Sequence, residues 1–263
     1  MMTTMKSGVL GCGLLPRQPL SARDARRKVL GVALLSRVIL LISMILSDGL
    51  IPDHNPGDDV ERFHLRLDSD CFCLQRHACD GLWRTRVPKD YGCASQEEGA
   101  KARPARRLFY GAILSPLAKW DAARFLNLAL DPWRRNPPQT HDENLLAVSE
   151  QSHAFFPLLP ILTRYLSLFL VRVSPVWILP PTFEAVLVLS AALINLVAFC
   201  LAALALFELT LTIGANHVSH AFLAASLFCV NPAGVFFSSN YSESTFCMWT
   251  FWGYALWHRN RCF

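Results

Sequence analysis

The segment Lys119-Trp120-Asp121-Ala122-Ala123-Arg124-Phe125 sets a carboxylate beside a large aromatic ring. A carboxylate held where water meets lipid can accept a proton from a hydroxyl or coordinate a cation. In its plainer use the same acid caps a helix or sits on a surface. A second group, Ser152-His153-Ala154-Phe155-Phe156-Pro157-Leu158-Leu159-Pro160, joins a histidine to an aromatic pair and two prolines. Prolines there free backbone groups, which lipid does not tolerate unless protein or a watery cavity receives them. An interfacial aromatic belt at a helix start is the simpler use of these residues. The third group runs from Asn231-Pro232-Ala233-Gly234 through Ser238-Ser239-Asn240-Tyr241-Ser242-Glu243-Ser244. Its hydroxyls, amides and single acid lie between two apolar blocks, where they are costly unless they line a site. The signatures of soluble enzymes are missing: there is no Gly-rich phosphate loop, no H-E-x-x-H and no G-x-S-x-G.

The elements that must position these groups are membrane helices. Of 263 residues 52% are apolar and 17% charged, and mean hydropathy is +0.29, which excludes an ordinary soluble enzyme. A span needs roughly 20 mostly apolar residues. Residues 29–51, 183–211 and 221–237 read as spans, and 245–257 as a shorter, aromatic one. The block 155–173, with Pro157, Pro160 and Arg164, reads as a broken span or an interfacial helix. The expected total is about four or five spans. Apolar residues at helical spacing from Leu108 to Leu130 predict an amphipathic helix on a membrane face.

Charge sets the expected orientation. Arg17, Arg23, Arg26, Arg27 and Lys28 crowd the approach to the first span, which keeps the N-terminus cytosolic. The long basic flank and long apolar block read as an anchor, not a cleaved signal peptide. The division is then a disordered basic tail over 1–28, a first span over 29–51, a lumenal loop over 52–153 and further membrane helices over 154–263. A conflict remains: if 155–173 spans, alternation puts 238–244 in the cytosol, yet His258, Arg259 and Arg261 after the last block favour the cytosol themselves. Arg37 reads as snorkelling to the cytosolic face, in preference to holding a lipid phosphate. Cys71, Cys73, Cys79 and Cys93 suit loop disulfides or free thiols better than zinc. Asn240-Tyr241-Ser242 fits a glycosylation sequon.

The three groups, in this order and behind a first span that ends Leu50-Ile51-Pro52-Asp53-His54, resemble the PIG-V family of mannosyltransferases. The carrying residues are Trp120-Asp121-Ala122 with Phe125, then His153-Ala154-Phe155-Phe156-Pro157 with Pro160, then Leu227-Phe228-Cys229 before Asn231-Pro232-Ala233 and Tyr241-Ser242-Glu243. The likeness covers nearly everything from residue 29 onward. It implies an all-α, polytopic integral membrane enzyme of the endoplasmic reticulum, a GT-C-like helical bundle with a long lumenal first loop. The implied reaction moves mannose from dolichyl-phosphate mannose, in α-1,6 linkage, onto the first mannose of the glycosylphosphatidylinositol (GPI) precursor. The implied catalytic acid is Asp121, which matches the essential acid of the first lumenal loop in GT-C enzymes. Trp120, Phe125, His153, Phe155, Phe156, Asn231, Tyr241, Ser242, Glu243 and Asp53 are then the substrate-binding candidates. No cofactor, metal or nucleic acid is expected. The partners are the lipid-linked donor, the GPI precursor, membrane lipids and a small membrane subunit. Family members are longer and carry further spans, so a truncated form is expected, and 131–150 is longer and more polar than the family pattern. The competing reading is a non-catalytic multispan membrane protein or partner subunit, including an inactive truncated isoform, whose polar residues only hold helices together.

Overall fold

A computed structural model of the chain describes residues 21–51, 104–119, 121–130, 157–175, 178–180, 183–214 and 217–261, with the side chains of 104–108, 123, 127, 260 and 261 outside that set. Among the described residues all regular structure is helical. The helices are α1 (Ala22–Leu50), α2 (Pro104–Leu114), α3 (Ala122–Leu130), α4 (Leu158–Val173), α5 (Phe183–Ile213), α6 (Val218–Cys229), α7 (Gly234–Ser238) and α8 (Glu243–Arg261). A 3-10 turn, Ser115–Leu117, joins α2 towards α3. Two helices, α1 and α5, are long and apolar enough to cross a membrane.

The first helix starts earlier than its apolar block. Residues 22–28, expected in a disordered tail, form its opening turns. The Ser21 hydroxyl accepts from the Asp24 amide at 3.1 Å, which satisfies one of the orphan donors of the helix start. Two turns on, Arg26 grips Glu208 with both branches of its guanidinium, at 2.5 and 3.2 Å. Along α1 the buried residues are Ala25, Val29, Ala33 and Arg37, one face at i, i+4 spacing. The opposite face carries Leu34, Leu35, Val38, Ile39, Ile42 and Leu46 exposed. Such a face would be a liability in water and is what lipid requires. The small Ala25 and Ala33 let α1 approach its neighbours closely, the usual source of helix association in a bilayer.

At the centre stands α5, apolar on every side, as expected of a helix surrounded by others or by lipid. It touches α1, α4, α6 and α8. Arg26 near the start of α1 meets Glu208 near the end of α5, while Leu41 and Met44 pack on the cluster that holds Phe183 to Ala191. The two helices are therefore antiparallel. One end of the bundle is marked by the Arg26–Glu208 pair, and the other by Asp48 of α1, which is ion-paired with Lys119.

The block 155–173 is resolved by α4. Its Ser167 hydroxyl donates to Ser190 at 2.8 Å, its Leu168 and Val171 join the cluster around Phe183 and Ala185, and Leu159 lies with Ile194. All of these partners are in the first half of α5, so α4 stays beside the Asp48 end. At 16 residues it is also short of a full crossing. The alternation conflict then disappears: α1, α5, the α6–α7 pair and α8 run alternately, and His258 and Arg259 return to the Arg26 end.

Two expected helices are broken. The 221–237 block ends as a helix at Cys229 and resumes as the single turn α7, because Pro232 has no amide to donate and disfavours helical backbone at Asn231. The 108–130 stretch is α2, the 3-10 turn and α3 rather than one helix, with Pro116 at the first break.

Candidate active site

Segments about 120 residues apart in sequence meet at the Asp48 end. The Asn240 amide donates to the Leu117 carbonyl at 3.3 Å. Tyr241 packs with Ala122, Phe125 and Leu159, its ring 6.5 Å from that of Phe125 and 5.6 Å from that of Phe236. The Lys119–Asp48 pair ties the same turn to the end of α1. Asp121 opens α3 there: its carbonyl accepts from the amides of Arg124 and Phe125 at 3.0 and 3.4 Å. Its carboxylate stays 61% exposed, with Arg124 Nε at 3.9 Å. The acid is thus held by its backbone, while its side chain stays open to solvent beside a loosely placed Arg124.

Tyr241 and Glu243 face Asp121 across this junction. Burial pushes the Tyr241 phenol up, the Asp121 charge adds to that, and backbone hydrogen bonding from Asp121 works against it. The phenol therefore stays protonated near neutral pH and is a donor. The Glu243 carboxyl is also raised, first by burial; its own backbone amide pulls the other way, and the charge of Asp121 adds to the rise. One Glu243 oxygen, Oε2, is buried and has no hydrogen-bond partner among the described residues. The arrangement is one exposed carboxylate, one sheltered carboxyl and a phenol at the mouth of an apolar bundle. It can accept a proton at Asp121 and offer hydrogen bonds to a polyol from the other two.

Most other polar residues of 231–244 serve the chain itself. Asn195, fully buried in α5, donates to the Ser239 carbonyl at 2.7 Å. Ser244 donates to the Phe237 carbonyl at 2.8 Å, and the Asn240 side-chain amide reaches the Val188 carbonyl at 3.5 Å. The first two satisfy backbone groups that the broken helix leaves open, which hydrocarbon would not do, and the third ties the loop to α5. Asn231 is used locally: its side-chain oxygen accepts from the Ala233 amide at 2.8 Å. The carbonyl of Ser242 receives the Thr245 hydroxyl and the Phe246 amide at the start of α8. Asn240 is fully buried, so in this fold the Asn240-Tyr241-Ser242 sequon is closed to a glycan.

Arg37 corrects the sequence reading. It does not snorkel to the membrane surface but turns inward and is only 6% exposed. Its Nη1 donates to the Gly234 carbonyl at 2.8 Å and the Ser238 hydroxyl at 3.0 Å, and Nη2 to the Cys229 carbonyl at 3.0 Å. Its Nε reaches the Ser36 hydroxyl at 3.4 Å, and the guanidinium carbon stands 3.9 Å over the Phe199 ring. An arginine at mid-membrane costs about 2.5–3.5 kcal/mol by insertion scales, while each hydrogen bond from a charged donor returns about 1.5–3 kcal/mol. Three good bonds offset that cost. Asn195 is the residue that sequence reasoning passed over, and Arg37 the one it misassigned. The available signal was a charge or an amide inside an otherwise apolar run.

Of the remaining candidates, Trp120, His153, Phe155, Phe156 and Asp53 lie outside the described residues, as do Cys71, Cys73, Cys79 and Cys93. Their expected roles therefore remain expectations.

Residues 107–263 match the family described as Mannosyltransferase (PIG-V). A protein of Drosophila pseudoobscura pseudoobscura named GPI mannosyltransferase 2 is 29% identical over 85% of this chain and 39% of its own length. Proteins named GPI alpha-1,6-mannosyltransferase 2 are 30% identical in Mus musculus and 28% in Homo sapiens, each over 86% of this chain and 35% of their own length. The chain thus spans little more than a third of the length of these three relatives. No solved structure matches it.

Proposed function

Because the chain belongs to the PIG-V mannosyltransferase family, we propose that it carries the acidic site of an α-1,6-mannosyltransferase that adds the second mannose to the GPI precursor. The donor is dolichyl-phosphate mannose, and the enzyme is a multi-pass protein of the endoplasmic-reticulum membrane with its site facing the lumen. No cofactor or metal is assigned to the reaction. A small membrane subunit is a further proposed partner.

The observation that carries this reading is the meeting of Asp121, Tyr241 and Glu243 at one end of a membrane-helix bundle, brought together from two distant segments. In the reaction the 6-hydroxyl oxygen of the acceptor mannose forms a bond to the anomeric carbon of the donor sugar. The bond from that carbon to the phosphate oxygen breaks and leaves dolichyl phosphate. The hydroxyl proton goes to the Asp121 carboxylate, which is exposed and backbone-anchored as a base needs to be. Tyr241 and Glu243 hold the hydroxyls of the sugars, and the apolar surface below takes the lipid chains. A lipid-borne donor needs no nucleotide pocket, consistent with the missing phosphate loop.

Asp121→Asn should reduce transfer by roughly 10²- to 10⁴-fold at unchanged amounts of protein, the usual size of a lost general base. The measurement is surface GPI-anchored protein in cells lacking the endogenous enzyme, scaled to the amount of variant in the membrane. Full rescue by Asp121→Asn at matched amounts removes Asp121 from the mechanism. A wild-type chain that transfers nothing removes the enzymatic reading altogether and leaves the non-catalytic one.

A further inference from the structure

One half of the site depends on a residue that makes no bond to Asp121, Tyr241 or Glu243. The α6–α7 break must be held in one geometry, because Tyr241 and Glu243 follow it almost directly. On its own the break is weak: α7 is a single turn, and Pro232 removes a backbone donor. Arg37 spans it. One guanidinium takes the Cys229 carbonyl on the near side and Gly234 and Ser238 on the far side. That cation is itself fixed from behind by the Phe199 ring and Ser36. Gly234 completes the fit, since a Cβ there would lie 3.1 Å from Arg37 Nη2 and 3.2 Å from Leu40 Cδ1.

We propose that Arg37 is a positioning residue for the site, which clamps both sides of the α6–α7 break and thereby sets where Tyr241 and Glu243 stand against Asp121. The proposal rests on the mannosyl-transfer reading above. Among the described residues its hydrogen-bonding partners are all neutral, so no ion pair there explains the buried charge. What an arginine offers here over any apolar residue is a rigid fork whose donors reach separate acceptors at once. Lysine could reach some of these acceptors but would lose the planar stacking on Phe199.

The test uses the full chain in membranes of cells that lack the endogenous activity, with saturating lipid-linked mannose donor and varied GPI acceptor. Arg37→Met, Arg37→Lys and Gly234→Ala are compared at equal amounts of membrane protein. A misplacement of about 1 Å costs on the order of 10²-fold in rate. Arg37→Met should therefore lower kcat roughly 10- to 100-fold with the acceptor KM within about threefold, because it shifts catalytic geometry without removing a binding group. Gly234→Ala, which disturbs the clamp without deleting it, should move kcat in the same direction by less, and Arg37→Lys should recover part of the loss. A second readout does not depend on activity: Cys247, one turn after Glu243 on α8, should change its rate of alkylation by N-ethylmaleimide in Arg37→Met, followed by mass spectrometry of its peptide. The proposal is overturned by a wild-type kcat in Arg37→Met, by a rise in KM alone, or by a loss that only tracks the amount of protein. If the wild-type chain transfers no mannose, the enzymatic reading fails by itself, and an unchanged Cys247 rate in Arg37→Met sinks the clamp independently.

Discussion

Asp121 and Glu243 carry the same functional group in opposite surroundings, and the difference predicts separate behaviours. Asp121 is exposed and is the proposed base; Glu243 is half-buried, and burial raises its carboxyl. With its folded pKa raised above the ordinary value of 4.5, Glu243 contributes stability that is complete below that value and is lost as pH rises through the raised one. Glu243→Gln mimics the protonated acid. In detergent the wild type should lose thermal stability as pH is raised upward from about 4.5, and Glu243→Gln should lose less. Parallel pH profiles for the two proteins would show that Glu243 does not titrate in that window. At this scale the sequence was informative about type but not about use. A carboxylate beside Trp120 and another in a polar run were both readable as candidates. That Asn240, Ser244 and Asn231 would be spent on backbone groups was not, because that depends on where Pro232 breaks the helix in space. Arg37 was misread for the same reason: its distance from the membrane surface was visible, and its partners 192 to 201 residues away were not.

Helices and their breaks decide how rigid the site can be. In α5 the buried Asn195 holds the Ser239 carbonyl, so the central helix, and not only α1, supports the loop that carries Tyr241. Asn195→Leu would leave that carbonyl buried and unpaired, at a cost of about 1–3 kcal/mol. The expected outcome is a lower melting temperature in detergent, with a decrease in transfer larger than the decrease in protein amount. Unchanged melting would mean the carbonyl finds another donor. The spans of α1 and α5 were legible because length and hydropathy suffice for them. The break after Cys229 was foreshadowed by Pro232, yet one apolar run masked it. The extension of α1 back to Ala22 was hidden by its basic residues, although Ser21 and Asp24 form a recognisable start signal.

For the molecule as a whole, the antiparallel helices put the Arg26–Glu208 pair and the Asp121–Tyr241 junction at opposite ends. The basic residues around Arg26, Arg27 and Lys28 and those at His258 and Arg259 then share one side, the arrangement that the positive-inside rule favours. An N-glycosylation acceptor inserted near Gln96 should be modified, while tags placed before Ser21 and after Phe263 should both be reachable from the cytosol in selectively permeabilised cells. A tag at either position that is protected like the lumenal loop would reverse the orientation and place the acidic site on the wrong side for a lumenal donor. Family membership and the all-helical architecture were both readable in the residues. The side on which 238–244 lies was not, since it hinges on whether 155–173 crosses, and the packing of α4 against the first half of α5, which favours a helix that does not cross, is invisible in the sequence.

The clamp at Arg37 also has a history within each molecule's synthesis. The cation enters the membrane with α1, and its acceptors at Cys229, Gly234 and Ser238 follow nearly 200 residues later. At about 5–20 residues per second that is on the order of 10–40 s during which α1 carries an unanswered charge. Until the later segment arrives, α1 bears the full cost of an unpaired arginine within the membrane. A chain stopped at residue 215 should be cleared quickly in a pulse-chase, and Arg37→Leu should lengthen the life of that fragment, whereas in the chain that extends through Ser238 the same change would remove the clamp.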